Sequence, residues 1–266
     1  MNWPKIQKTL SGMPKNVFIT GASSGLGAGL AERFVRDGHT VIVTARRESL
    51  ILSLSERLTA MGPGRCVYRV CDVQSEASVS AAVAWASSTV GPLDVVIANA
   101  GVSQSTEASY ADTAQFESVL RTNLLGVMYT FHAAIPAMCL RGSGQLVCMS
   151  SLAAYRGLPG AAAYCASKAA VSALSESFRM DLRRFGVCVT LLQPGWIQTP
   201  LTDRNLYAMP FRMATDAGVD ALYRAILAQK SVVSFPWPLA MSVRLLRLLP
   251  AWLYDKILGN RRNAKS

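Results

Sequence analysis

Short apolar segments alternate with helical ones along most of this 266-residue chain, and that alternation leaves few folds open. Asn16–Thr20, Thr40–Ala45, Cys66–Val70, Val95–Ala98, Leu146–Met149, Cys188–Leu192 and Val232–Phe235 read as strands. Between them lie helical stretches. Leu26, Leu30, Phe34 and Val35 keep helical spacing up to Gly38, and Glu48 to Met61 is stopped by Gly62-Pro63-Gly64. Ser75–Val90, Thr113–Leu140, Ala161–Leu182 and Asp216–Lys230 follow. Strands this uniformly apolar are covered on both faces, and helices between them favour parallel pairing. The expectation is one α/β domain, large enough to bury a substantial core. No repeat, low-complexity run or second domain boundary interrupts it.

Composition narrows the setting. Hydrophobic residues make up 51% and charged residues 16%, yet no uninterrupted apolar run reaches membrane-spanning length. Met1 to Lys15 holds Trp3, Pro4, Lys5, Lys8 and Pro14 and lacks the apolar stretch of a secretory signal. Cys66, Cys71, Cys139, Cys148, Cys165 and Cys188 form no C-x-x-C pair, so reduced thiols in a cytoplasmic protein are expected, with no metal site. The net charge of +11 is concentrated at the ends. Residues 1–20 carry three lysines and no acid, and residues 241–266 carry six Lys/Arg and one Asp, which leaves only +3 for the body. No basic stripe on a recognisable module points to nucleic acid. Basic ends beside apolar residues suit an anionic membrane surface better.

The first strand runs straight into Gly21-Ala22-Ser23-Ser24-Gly25-Leu26-Gly27 and then into a helix. Glycines let backbone approach phosphate oxygens, and a helix start offers free N–H groups and the positive dipole end. The spacing G-x-x-x-G-x-G differs from the commoner G-x-G-x-x-G. Gly21 to Gly25 also fits G-x-S-x-G, a hydrolase nucleophile elbow. That enzyme needs a late histidine, and the only histidines are His39 and His132, so the phosphate reading is preferred. After the second strand, Thr44-Ala45-Arg46-Arg47 offers no carboxylate for a ribose 2′-hydroxyl. Arg46 can pair with a 2′-phosphate instead, which favours NADP(H) over NAD(H); Arg47 reads as a solvated neighbour.

In Tyr164-Cys165-Ala166-Ser167-Lys168, Tyr164 and Lys168 stand four apart on a proline-free helix and share one face. A nearby ammonium favours the phenolate and lowers a tyrosine pKa from about 10. A phenol tuned that way exchanges protons near neutral pH. Alone the pair is a weak signal.

Taken in order, Thr20 to Gly27, Asp72-Val73, Asn99-Ala100-Gly101, Asn123, Ser151, Tyr164 to Lys168, and Pro194-Gly195 with Thr199 resemble a classical short-chain dehydrogenase/reductase over about residues 15–235. The resemblance implies a Rossmann-type, doubly wound parallel sheet of about seven strands, with NADP(H) across the carboxyl ends. It implies that Gly21, Ser23, Ser24, Gly25, Leu26, Gly27 and Arg46 hold the phosphates. Asp72 and Val73 meet the adenine, and Asn99, Ala100 and Gly101 line the cleft. Pro194, Gly195, Ile197 and Thr199 hold the nicotinamide end. Tyr164 is the general acid/base, Ser151 binds the same substrate oxygen, Lys168 binds the nicotinamide ribose and tunes Tyr164, and Asn123 holds a water. Ser150 should point away from Ser151 by strand alternation. The substrate is expected to be a carbonyl or secondary alcohol, and the assembly a homodimer or homotetramer through the long helices.

Two other readings stay open. A catalytically silent NADP-binding scaffold has no need of all four of Asn123, Ser151, Tyr164 and Lys168. An extended-branch epimerase or dehydratase needs a longer C-terminal substrate domain. The expected divisions are an extension at 1–14, the NADP-binding catalytic domain at 15–236 and an apolar, basic helical tail at 237–266. Ser103–Asp112 and Trp196–Phe211 border the substrate with Tyr110, Trp196, Leu201, Tyr207, Met209 and Phe211, which favours a lipophilic one. In the tail, Trp237, Trp252 and Tyr254 read as lipid-interface residues and Arg261, Arg262 and Lys265 as headgroup contacts, unless the tail helix packs over the cleft or a subunit interface.

Overall fold

The computed structural model describes residues 13–104, 106, 108, 112–203 and 209–259. Tyr110, Tyr207, Arg261, Arg262, Lys265 and nearly all of the N-terminal extension lie outside that set.

Seven parallel strands form one sheet in the order β3-β2-β1-β4-β5-β6-β7. They are β1 (Asn16–Thr20), β2 (Thr40–Ala45), β3 (Arg65–Val70), β4 (Val95–Ala98), β5 (Gly144–Met149), β6 (Val187–Pro194) and β7 (Val232–Phe235). Alternate residues feed opposite faces. Val17, Ile19, Val41, Val43, Val95, Ile97 and Val147 join the core under α1 (Gly25–Arg36), α2 (Glu48–Met61) and α7 (Thr215–Leu227). Phe18, Ile42, Val96, Ala98, Leu146 and Cys148 join the core under α3 (Glu76–Val90), α5 (Gly126–Arg141) and α6 (Ala162–Leu182). Each fully buried side chain of this size is worth about 1.5–3 kcal/mol, and both faces are dry, as the run of apolar strand residues required. The six cysteines are free thiols, four of them buried.

The long helix departs from regularity where it matters. α4 (Thr113–Leu120) passes through one π turn, Arg121–Leu125, into α5. The combined helix, Thr113–Arg141, is long and apolar enough to cross a membrane by length and composition, although the sequence shows no unbroken apolar run. In the fold Val127, Phe131, Ala134 and Met138 bury one side of it against the sheet.

The chain closes with α8 (Trp237–Arg247) and α9 (Ala251–Gly259). Leu239 and Ala240 pack on Leu152, with Tyr155, Trp196 and Val243 around them. Gly195 permits the approach, since a Cβ there would come within 2.6 Å of Leu239 and 3.2 Å of Leu152. Arg156 then pins the pair. Its guanidinium donates to the carbonyls of Leu246 and Leu249, both at 2.8 Å, and lies 3.8 Å from the centre of the Tyr254 ring. The Tyr254 hydroxyl donates to the Gly157 carbonyl at 2.6 Å. Tyr254 is therefore a buried anchor, which corrects its reading as a lipid-facing residue: its polar end is spent on the 152–157 loop. Arg156→Ala should release this corner alone. Hydrogen exchange over 237–259 should quicken about tenfold, the loss of one or two charge-assisted bonds, while β1 and β4 stay protected. Unchanged exchange would mean that the apolar contacts hold the helices unaided.

Candidate active site

The strand order reverses between β1 and β4, so the segments leaving their carboxyl ends part and open a crevice. Thr20, Gly21 and Asn99 build its floor. Thr20 Oγ1 accepts from the backbone N–H groups of Asn99 (3.1 Å) and Ala100 (3.2 Å). Asn99 Nδ2 donates back to the carbonyls of Thr20 (3.0 Å) and Gly21 (3.1 Å). This reciprocal clasp needs glycines. Gly21 has φ +66°, and a Cβ on it would come within 2.6 Å of Ala100 Cα. A Cβ on Gly27 would overlap Asn99 Nδ2 at 2.5 Å and the Gly21 carbonyl at 2.7 Å.

Above the floor, α1 begins at Gly25 with Ser24 extended behind it, no side-chain cap bond and no acidic residue in the first turn. An uncapped helix start is an anion site in waiting. Ser24 is exposed, Leu26 packs against the core, and Gly25 faces Thr199 at 3.6 Å from its Cβ position. These are the features a dinucleotide pyrophosphate requires, so the residues present fit such a cofactor. Among the two arginines after β2, Arg47 reaches the turn, donating to Ser23 Oγ at 2.9 Å. Arg47 is the residue before α2 and is exposed, as expected, and from there its side chain folds back over the turn. Arg46 is exposed and has no side-chain bond among the described residues.

Asp72 is half-buried, with Oδ1 accepting from the Gln74 N–H at 3.0 Å, and Val73 packs against Gly126 at the start of α5. Pro194 ends β6, and its carbonyl accepts from Ser151 Oγ at 3.4 Å. Ile197 is buried, its carbonyl accepting from the Thr202 hydroxyl, while the Thr199 N–H donates to Thr202 Oγ1 at 3.0 Å.

The reactive group of side chains gathers beside this crevice. Lys168 is 3% exposed, and its ammonium donates to the Met149 carbonyl at 2.7 Å. It lies 5.7 Å from the centre of the Tyr164 ring. Burial holds its pKa down to about 8, partly offset by the neighbouring Cys148, whose own thiol burial raises to about 11. Asn123, fully buried in the π turn, accepts from the Val102 N–H (2.8 Å) and donates to the Val102 carbonyl (2.9 Å) and Ser167 Oγ (3.1 Å). Ser167 Oγ in turn donates to the Tyr164 carbonyl at 2.7 Å. Both Asn123 N–H donors are thereby spent, so a water held here must use its carbonyl groups. The Cβ position of Gly101 lies 3.4 Å from Asn123 Oδ1 and 3.5 Å from Lys168 Nζ, which places the β4 loop over both. Ser151 Oγ accepts from the Ala153 N–H at 3.1 Å, and Ser150 points inward to donate to the Lys168 carbonyl at 2.9 Å. The loop after β4 is tied down next to Tyr164: the Thr106 N–H donates to the Gly160 carbonyl and Thr106 Oγ1 accepts from the Ala163 N–H.

Several members of this arrangement escape sequence reasoning. Thr20 and Ser167 stand inside the quoted motifs, but their bonds follow only from which strands are neighbours. The Met149 carbonyl is backbone and leaves no signal. His39, raised as a hydrolase candidate, is buried and accepts from the Lys15 N–H at 3.1 Å, and His132 is exposed on α5 beside Phe178.

The seven-stranded parallel sheet and its glycine-rich crevice define a Rossmann-type domain. The short chain dehydrogenase family model matches residues 15–208, and the chain belongs to that family, whose members act on alcohols and carbonyls. It is 39% identical over 241 residues to an uncharacterized oxidoreductase of Myxococcus xanthus, covering 91% of this chain and 95% of the relative. A short-chain dehydrogenase/reductase of Burkholderia phymatum in complex with NAD superposes with TM-score 0.81 at 23% identity, covering 87% of this chain and 92% of that one. A variant of the actinorhodin polyketide ketoreductase with NADPH superposes with TM-score 0.78 at 26% identity, covering 85% and 97%.

Lys168 sets a pH signature. Its proton leaves the folded protein near pH 8 but the unfolded chain only near the ordinary lysine value of 10.5, so stability rises with pH across that window and the gain is lost as pH falls back toward 8. The unfolding free energy of the free protein relative to Lys168→Met should therefore climb between about pH 8 and 10, by an amount on the order of 1–3 kcal/mol, read from denaturant melts at each pH. A flat difference would show that the ammonium is not desolvated.

Proposed function

We propose that the protein is an NADP(H)-dependent reductase or dehydrogenase of a lipophilic carbonyl/secondary alcohol pair, with Tyr164 as general acid/base. The observation that carries this is the buried Lys168 ammonium, 5.7 Å from the centre of the Tyr164 ring and beneath Gly101 at the end of β4. When bound, the nicotinamide supplies the hydride that adds to the carbonyl carbon. Ser151 and Tyr164 donate hydrogen bonds to the carbonyl oxygen. Tyr164 gives its proton to that oxygen as negative charge grows there, and Lys168 stabilises the phenolate left behind. Because Lys168 titrates near pH 8, it is still largely charged at neutral pH and can do so. Asn123 braces the β4 loop against α6 and keeps its remaining oxygen lone pairs for a water that returns the proton.

Preference for NADP(H) is supported by the charge at the end of β2. Arg46 and Arg47 stand where a carboxylate would select NAD(H), and Arg47 already leans on Ser23. The lipophilic substrate is supported by exposed Leu201 and Phe211 in the segment flanking Thr199. We take residues 15–236 as the catalytic domain and 237–266 as an appended tail. Pairing of copies through the long helices is supported by exposed Leu140 and Met180 there.

Two experiments test the reading. Tyr164→Phe should keep NADPH binding, followed by fluorescence, while turnover of a carbonyl that the wild type reduces falls by about 10²- to 10⁴-fold. NADPH binding without reduction of any member of a broad carbonyl panel would instead favour the silent scaffold. Replacing Arg46 and Arg47 each by Gln should weaken NADPH about tenfold per lost phosphate bond and leave NADH unchanged. Equal losses for both nucleotides would overturn the assigned phosphate contact.

A further inference from the structure

The C-terminal helices present a second apolar face that no part of the described fold covers. On α8, Leu239, Ala240 and Val243 face inward to Leu152, Tyr155 and Trp196. Trp237, Met241, Leu245 and Leu248, spaced four, four and three apart, form one stripe on the opposite side and are 72%, 37%, 61% and 80% exposed. Trp252 at the start of α9 is 68% exposed as well. Scattered exposed apolar residues are ordinary, but a row of four on one side of a helix, led by a tryptophan, marks an interaction surface.

We propose that this stripe docks the protein on an anionic lipid bilayer, with the α8–α9 pair lying in the plane of the interface. Charge identifies the occupant. Residues 237–266 carry six Lys/Arg against the single acid Asp255. By helical steps Arg244 falls between the stripe and the buried face and Arg247 on the edge of the buried face; their guanidiniums lie 5.9 and 6.0 Å from the centre of the Tyr155 ring, and Arg244 also donates to the Tyr155 hydroxyl and Ser234 Oγ at 3.3 Å. Both are exposed, and Arg244 stands on the flank where headgroup phosphates lie when the stripe is immersed. A second copy docked on the same face would bring basic groups against basic groups, whereas anionic headgroups neutralise them. Exposed tryptophan suits the boundary between headgroups and acyl chains, where an apolar ring body and a polar N–H are both accommodated. The platform is rigid: Arg156 and Tyr254 fasten α8 and α9 to the loop that begins directly after Ser151. The docking does not depend on the proposed carbonyl chemistry.

Co-sedimentation of the full chain with vesicles tests the proposal. Wild type should pellet with phosphatidylcholine vesicles containing phosphatidylglycerol, and several-fold less with pure phosphatidylcholine or at high salt. The triple variant Trp237→Ser, Leu245→Ser, Trp252→Ser should lose at least about tenfold in partitioning, since it removes most of the inserted apolar area. Its melting curve and NADPH binding should match wild type, because all three side chains face solvent. Should that variant prove unstable, Leu245→Glu alone is expected to weaken vesicle binding in the same direction. Wild type that ignores anionic vesicles, or a folded triple variant that binds them equally, overturns the proposal. So does wild type that stays off vesicles while the variant lowers its sedimenting mass, which would make the stripe a contact between copies. No arm depends on turnover, so a negative result leaves the reductase reading standing.

Discussion

A parallel sheet sealed on both faces leaves its reactive groups only the strand ends. Phe18, Ile42, Val96 and Leu146 on one side, and Ile19, Val43, Ile97 and Val147 on the other, exclude water from the whole middle of the domain. The backbone there is spent on the strand ladder. Chemistry can be placed only where strands stop, and the widest opening is where β1 and β4 send their chains apart. The Thr20–Asn99 clasp keeps that opening at one width by joining two strand ends that are 79 residues apart in sequence.

The same seal explains the electrostatics. Lys168 sits on α6 against the end of β5, under the Met149 carbonyl, where almost no solvent reaches. A cation there is held at a cost in hydration, which is why its pKa drops to about 8. The cost is the means of tuning. A desolvated ammonium acts strongly on any negative charge that develops beside it, and Tyr164 is one helical turn away. The π turn serves this geometry too: by adding a residue to the turn, it sets Asn123 toward Val102 and Ser167, coupling the β4 loop to the helix of Tyr164.

The C-terminal pair is joined to this site through packing. Leu152 follows Ser151 directly, and α8 rests on it because Gly195 has no side chain to hold the helix away. Arg156 satisfies carbonyls at the end of α8 that a helix terminus leaves open. The tail is therefore both a cover for the 152–157 loop and a bearer of outward apolar residues.

Much of this was legible before any coordinates. Apolar alternation determined seven strands, and most of their boundaries agree within two residues, because burial on both faces leaves a plain record in composition. The order of Gly21, Gly25, Gly27, Asn99, Asn123, Ser151, Tyr164 and Lys168 identified the family, since each residue type answers a local geometric demand. What the sequence could not carry was contact between distant segments. That Arg47 leans on Ser23, that the Met149 carbonyl holds Lys168, that Ser167 links Asn123 to Tyr164, and that Tyr254 is an anchor while Trp252 is exposed depend on strand order and helix rotation. Those are set by packing the whole chain at once: local periodicity says which residues share a face, and only the tertiary structure decides what each face meets.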